Sequence, residues 1–166
     1  RLIGYRLTPP QPAPGDALLL TLYWETHHAL YENYKVFTHL LGPRGQIVAQ
    51  RDNQPGRGTF PTNTWNPGTP IEDPYELTIP SDAATGEYQI QVGMYDPLTL
   101  ERLPATDEEH QPTLDDSIHV ATVHVAPRIS GWRRALSALW LAAVAVGAGY
   151  GIQTTSSKTG KAHKAK

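Results

Sequence analysis

All 15 prolines of this 166-residue chain lie at or before Pro127. Proline fixes φ and carries no backbone N–H, so a region punctuated this way is steered toward short extended pieces joined by turns. The hydrophobic pattern agrees. In LLLTLYWE, residues 18–25, the side chains Leu18, Leu20, Leu22 and Trp24 alternate with Leu19, Thr21, Tyr23 and Glu25, the period-two signature of a strand. A shorter strand precedes it around Ile3–Leu7, and PPQPAPGD makes the stiff connection between them.

YKVFTHLL, residues 34–41, opposes Val36, Thr38 and Leu40 to Phe37, His39 and Leu41. Gly42-Pro43-Arg44-Gly45 interrupts it and GQIVAQRD resumes, which predicts a hairpin over 34–51. Residues 53–74 are rich in Pro, Gly, Asn and Thr and read as a long loop with at most a short edge strand. YELTI (75–79), EYQIQVGMY (87–95) and SIHVATVHV (117–125) supply further strands, the middle one burying Tyr88, Ile90, Val92 and Met94. About seven short strands with Gly/Pro turns predict an all-β fold, a two-layer antiparallel β-sandwich of the immunoglobulin/fibronectin-like kind. A small closed barrel is the alternative.

The composition changes at Pro127. Residues 1–127 hold all 16 Asp and Glu and seven Lys and Arg, a net charge of −9, whereas Arg128–Lys166 holds seven bases and no acid. ALSALWLAAVAVGAGYGI, residues 135–152, is free of charge. As a helix it would extend roughly 27 Å, close to the hydrocarbon thickness of a bilayer. Arg133 and Arg134 precede it, Trp140 lies within it, and Trp132 and Tyr150 stand near its ends, where aromatic rings favour a membrane interface. The expected organisation is therefore a sandwich domain over 1–127, a single hydrophobic helix over 128–152 that spans a membrane or packs on a partner, and a disordered basic tail over 153–166. The larger basic cluster after the apolar run puts the β domain on the extracytoplasmic side of the cell membrane as a single-pass protein. Arg1 in place of a starting Met is read as the mark of a fragment or a processed form.

Chemistry-bearing patterns are sparse. Without cysteine there is no disulfide framework, zinc–thiolate site or thiol nucleophile. Ser81, Ser117 and Ser130 lack a nucleophile elbow, and His27 and His28 read as loop residues. His119 and His124 are five apart on one strand, which predicts opposite faces and no shared ion. Asp107, Glu108, Glu109, Asp115 and Asp116 form an acidic loop without calcium-hand spacing. Asp52, Asp96 and Glu101 are the carboxylates a hydrolase would draw on. No catalytic residue, metal ligand or cofactor is assigned, and the net charge of the domain disfavours nucleic acid.

Recognition by aromatic side chains remains. A ring covers the apolar face of a sugar while amides and carboxylates take its hydroxyls. The candidate carbohydrate-binding residues are Trp65, Tyr31, Tyr34, Tyr95, Asn63 and Asn66, with Trp65 foremost because its loop is polar, although the favoured reading of that ring is an anchor folded back onto the sandwich rim.

The string YKVFTHLLGPRGQIVAQRDNQPGRGTFPTNTWNPG, followed by DPYELTIPSDAATGEYQIQVGMYDPLTLERLP, resembles the C-terminal extracytoplasmic β-sandwich domain of Chloroflexi-type membrane glycosyltransferases similar to dolichyl-phosphate-mannose mannosyltransferases. The resemblance covers roughly Ile3–Val125 and rests most on Phe37–Leu41, Ala49–Asp52, Trp65–Gly68, Gly86–Tyr88 and Gly93–Asp96. It implies a bacterial accessory domain near glycan chemistry and transfers no catalytic residue. The function expected from the sequence is a non-enzymatic, membrane-anchored structural or assembly subunit of a larger membrane complex. The alternative is a carbohydrate-binding accessory domain of such a transferase, with a cell-envelope glycan as its ligand.

Overall fold

A computed structural model of the chain describes residues 1–107 and 109–128. Seven strands are present among the described residues: β1 (Leu2–Thr8), β2 (Ala17–Trp24), β3 (Lys35–Leu41), β4 (Ile47–Asn53), β5 (Ile71–Thr78), β6 (Gly86–Tyr95) and β7 (Ile118–Val125). They form two antiparallel sheets, one ordered β1-β2-β5 and the other β4-β3-β6-β7. An immunoglobulin constant-type sandwich places its fourth strand beside the fifth. Here β4 instead pairs with β3 through the hairpin at Gly42–Gln46, giving sheets of three and four strands.

Alternation determines the core. Leu18, Leu20, Leu22 and Trp24 of β2 face Val36, Thr38 and Leu40 of β3 and Tyr88, Ile90 and Val92 of β6, all buried. Tyr88 also ties the β5–β6 turn, its hydroxyl donating to the carbonyl of Ala84 at 2.7 Å. That contact matches the tyrosine corner of immunoglobulin-like sandwiches.

Strand β5 begins at Ile71, inside the stretch that composition alone assigns to a loop. Its inward residues include Asp73, which is fully buried. A carboxylate can occupy such a place only when it is hydrogen-bonded. Pro74 follows within the strand, pairing with Thr21. It is tolerated because β5 is an edge strand.

The expectation of a single hydrophobic helix after the sandwich is corrected. The fold is all-β and two-layered, and among the described residues no helix is long and apolar enough to cross a membrane. The short helices there are 3-10 turns at Pro55–Gly58, Thr62–Thr64 and Leu114–Asp116. The run 135–152, with Trp132, Arg133, Arg134, Trp140 and Tyr150, lies outside the described residues. The single-pass anchoring, the extracytoplasmic placement and the membrane-complex partnership rested on such a helix, and no helix among the described residues carries them.

A candidate ligand site on the outer face of the four-stranded sheet

Register brings together residues that are distant in sequence. Phe37 on β3 lies between Asp52 on β4 and Gly93 on β6, with all three on the outer sheet face. Tyr95, two residues beyond Gly93, reaches the same surface from the diagonal position. The β6–β7 connection folds back over this row. Arg102 bridges to Tyr95, and its guanidinium carbon stands 4.4 Å from the centre of the Phe37 ring. Its Nη1 donates to the carbonyl of Asp115 at 2.7 Å. Phe37 is therefore buried although it faces away from the core.

Gly93 permits this arrangement. A Cβ there would stand 2.5 Å from Cζ of Phe37 and 2.9 Å from the backbone oxygen of Asp116. The His39 ring lies 4.8 Å from that of Phe37, tilted by 36°. Together Phe37, His39, Asp52, Tyr95, Leu100 and Arg102 line a shallow depression of about 240 Å³.

Electrostatics set the character of the depression. Burial is the largest influence on His39 and holds its pKa below the ordinary value; Asp52 pulls it up and Arg102 pushes it down. The imidazole is thus neutral at pH 7, offering one donor and one acceptor. Burial, then Asp52, pushes the Tyr95 phenol up, so it remains a neutral hydroxyl. Asp52 and Arg102 are both solvent-exposed. Arg102 makes no ion pair with a carboxylate among the described residues.

Leu100 forms an apolar rim, 72% exposed and held at φ 63°. That left-handed conformation is unfavourable for leucine. It is fixed by the tight loop in which Leu100 donates its N–H to Asp96 and Asp96 donates to Glu101. Asp96 also accepts from the N–H of Leu98 at 2.7 Å, so its carboxylate is engaged in shaping the turn.

A larger depression, about 430 Å³, lies on the outer face of the three-stranded sheet, lined by Arg6, Thr8, Leu19, Thr21, Arg57 and Glu76 among others. Arg6, one of its lining residues, makes an exposed ion pair with Glu72 at 3.4 Å. The cations of this depression are Arg6 and Arg57, but its one aromatic residue, Tyr75, is buried in the core and spends its hydroxyl on Asp73, so no ring is presented to a ligand. The smaller depression is the better site on chemical grounds.

The aromatic residues singled out in the sequence do not converge. Trp65, the foremost of them, is buried in the core, and its indole N–H donates to the carbonyl of Phe60 at 2.9 Å. Its ring offers no surface platform. Tyr31, Asn63 and Asn66 are exposed and Tyr34 is half-buried, on two loops joined through Thr62. That hydroxyl accepts from the N–H of Tyr34 and donates to the carbonyl of Glu32. Of the six, Tyr95 alone enters the depression. Asp52 is one of the carboxylates that the sequence offers for acid–base chemistry, and strand alternation sets His39 on the face of Phe37; Phe37 and Arg102 carry no local signal of a site.

The two strand histidines also need correction. Both His119 and His124 are exposed on the outer face, because the register of β7 shifts between Ala121 and His119 and restores their common side. They pair with Gln91 and Glu87, four residues apart, which at strand rise is about 13 Å and too far for one ion. Among the described residues no three His, Asp or Glu side chains converge where they could hold a metal.

No family model and no curated protein matches the chain.

Proposed function

We propose that the sandwich is a recognition module that binds a saccharide at the Asp52–Tyr95–Arg102 depression and performs no catalysis there. The observation that carries the proposal is the convergence on one surface of a partly exposed phenol, an apolar rim at Leu100, a carboxylate and a fixed guanidinium. Sugars present an apolar ring face edged by hydroxyls, and this set supplies both complements. A loop held in an unfavourable backbone conformation to expose an apolar side chain is the kind of feature that clusters at ligand sites. The resemblance of Phe37–Leu41, Ala49–Asp52 and Gly93–Asp96 to an accessory domain of glycosyltransferases points toward the same ligand class.

Binding of the full chain to immobilised oligosaccharides, measured by interferometry, tests the proposal. Saturable binding to at least one saccharide is expected, weakened about tenfold or more by Tyr95→Ala and by Asp52→Asn, the loss of one well-placed contact each. Binding that neither substitution weakens would remove the depression as the site. Absence of saturable binding would remove the saccharide reading itself.

A further inference from the structure

The two charges in the depression specify more than a generic sugar. Asp52 accepts hydrogen bonds and offers none when ionised, so it calls for hydroxyl donors on the ligand. Arg102 offers donors in a planar fork and accepts none, so it calls for acceptors, best of all a carboxylate, which it can engage in two parallel bonds. Its side chain is already immobilised by the Phe37 ring at 4.4 Å and by the Asp115 carbonyl at 2.7 Å. Less conformational freedom then remains to be lost on binding.

A neutral sugar satisfies Asp52 but meets Arg102 only with weakly accepting hydroxyls. A simple carboxylic acid satisfies Arg102 but places no hydroxyl on Asp52. A polyhydroxylated carboxylate satisfies both. Resting on the saccharide reading above, we propose that the ligand is a saccharide carrying a uronic acid, its carboxylate on Arg102 and its ring hydroxyls on Asp52 and the Tyr95 phenol. The net charge of −9 over residues 1–127 repels a polyanion laid along the surface. The acidic sugar is therefore a single terminal residue, seated at a local cation, and not one unit of a polyuronate chain.

Calorimetric titration of the full chain with matched pairs, glucuronate against glucose and galacturonate against galactose, tests this. Within at least one pair the acid is expected to bind about tenfold tighter or more, the increment of one charge-assisted pair. Arg102→Gln should abolish the preference, so that acid and neutral sugar bind this variant with equal affinity, whereas Arg102→Lys should recover part of the preference. Equal binding within both pairs, or a preference that survives Arg102→Gln in a folded variant, overturns the uronate assignment and leaves the saccharide reading standing. Absence of binding by all four sugars, with immobilised oligosaccharides also unbound, overturns both.

Discussion

The indole N–H of Trp24 donates to Oδ2 of Asp73 at 3.2 Å within the core, between the neighbouring strands β2 and β5. The Tyr75 hydroxyl donates to the same oxygen at 2.7 Å, and the N–H of Gly56 donates to Oδ1 at 2.8 Å. This third contact reaches a turn whose residues Gly56 and Arg57 both have positive φ. One buried carboxylate thus joins two strands of a sheet to the β4–β5 connection. Replacing it with asparagine leaves an amide nitrogen where an acceptor is needed, so Asp73→Asn should cost about 1–3 kcal/mol, read as a lower urea midpoint. Burial raises the Asp73 pKa above its ordinary 3.8 against the lowering effect of the three donors. The folded state consequently binds more protons than the unfolded one between 3.8 and the raised value. The stability contributed by Asp73 is fully present below that window and falls as pH rises through it. The difference between the parent and Asp73→Asn should narrow with rising pH across the window; a constant difference would contradict the assignment.

His39 predicts the opposite slope. Its pKa is lowered chiefly by burial, with Asp52 and Arg102 the charged groups beside it. The unfolded chain therefore binds more protons between the lowered value and the ordinary 6.5. Stability contributed by His39 is fully present above 6.5 and is lost as pH falls through the folded pKa. Urea midpoints measured from pH 7.5 downward should decline more steeply for the parent than for His39→Gln.

Gly93 couples packing to the site. Gly93→Ala forces a methyl against the Phe37 ring and the Asp116 carbonyl, and a backbone atom yields less readily than a flexible side chain. A loss of about 1–3 kcal/mol is expected from overpacking. Ligand affinity should fall as well, because the displaced loop is the one that holds Arg102. Unchanged affinity in this variant would separate the loop from the site.

At Leu100 stability and binding should diverge. Asparagine accepts the left-handed conformation at lower cost than leucine, so Leu100→Asn should unfold at an equal or higher temperature. Removal of the apolar rim should weaken saccharide binding severalfold. A drop in both quantities would mean that Leu100 serves the fold alone.

What the sequence made legible follows from how local each signal was. The alternation of Leu18, Leu20, Leu22 and Trp24, and of Tyr88, Ile90 and Val92, identified inward faces because strand periodicity is a property of neighbouring residues. The start of β5 was hidden, since Glu72, Asp73 and Pro74 look like a polar turn until Trp24 and Gly56 supply the donors that bury Asp73. Trp65 is ambiguous for the reverse reason: a polar loop admits either a ligand platform or an anchor folded back onto the sandwich, and the tertiary fold turns the ring inward and satisfies its N–H at Phe60. Arg102 on Phe37 joins positions 65 residues apart in sequence with no local pattern to announce it. The shift at Ala121 and His119 was equally invisible, and it put two histidines expected on opposite faces on the same one.

The central claim is that ligand meets this chain on the outer face of β3, β4 and β6. Backbone amide chemical shifts of the full chain, followed by NMR during titration with a saccharide that binds, test it most directly. The largest changes are predicted at Phe37, His39, Asp52, Tyr95 and Arg102, with the Trp65 loop little affected. Changes centred on Tyr31, Asn63 and Asn66, or on Arg6, Leu19 and Arg57 of the opposite sheet, would contradict it.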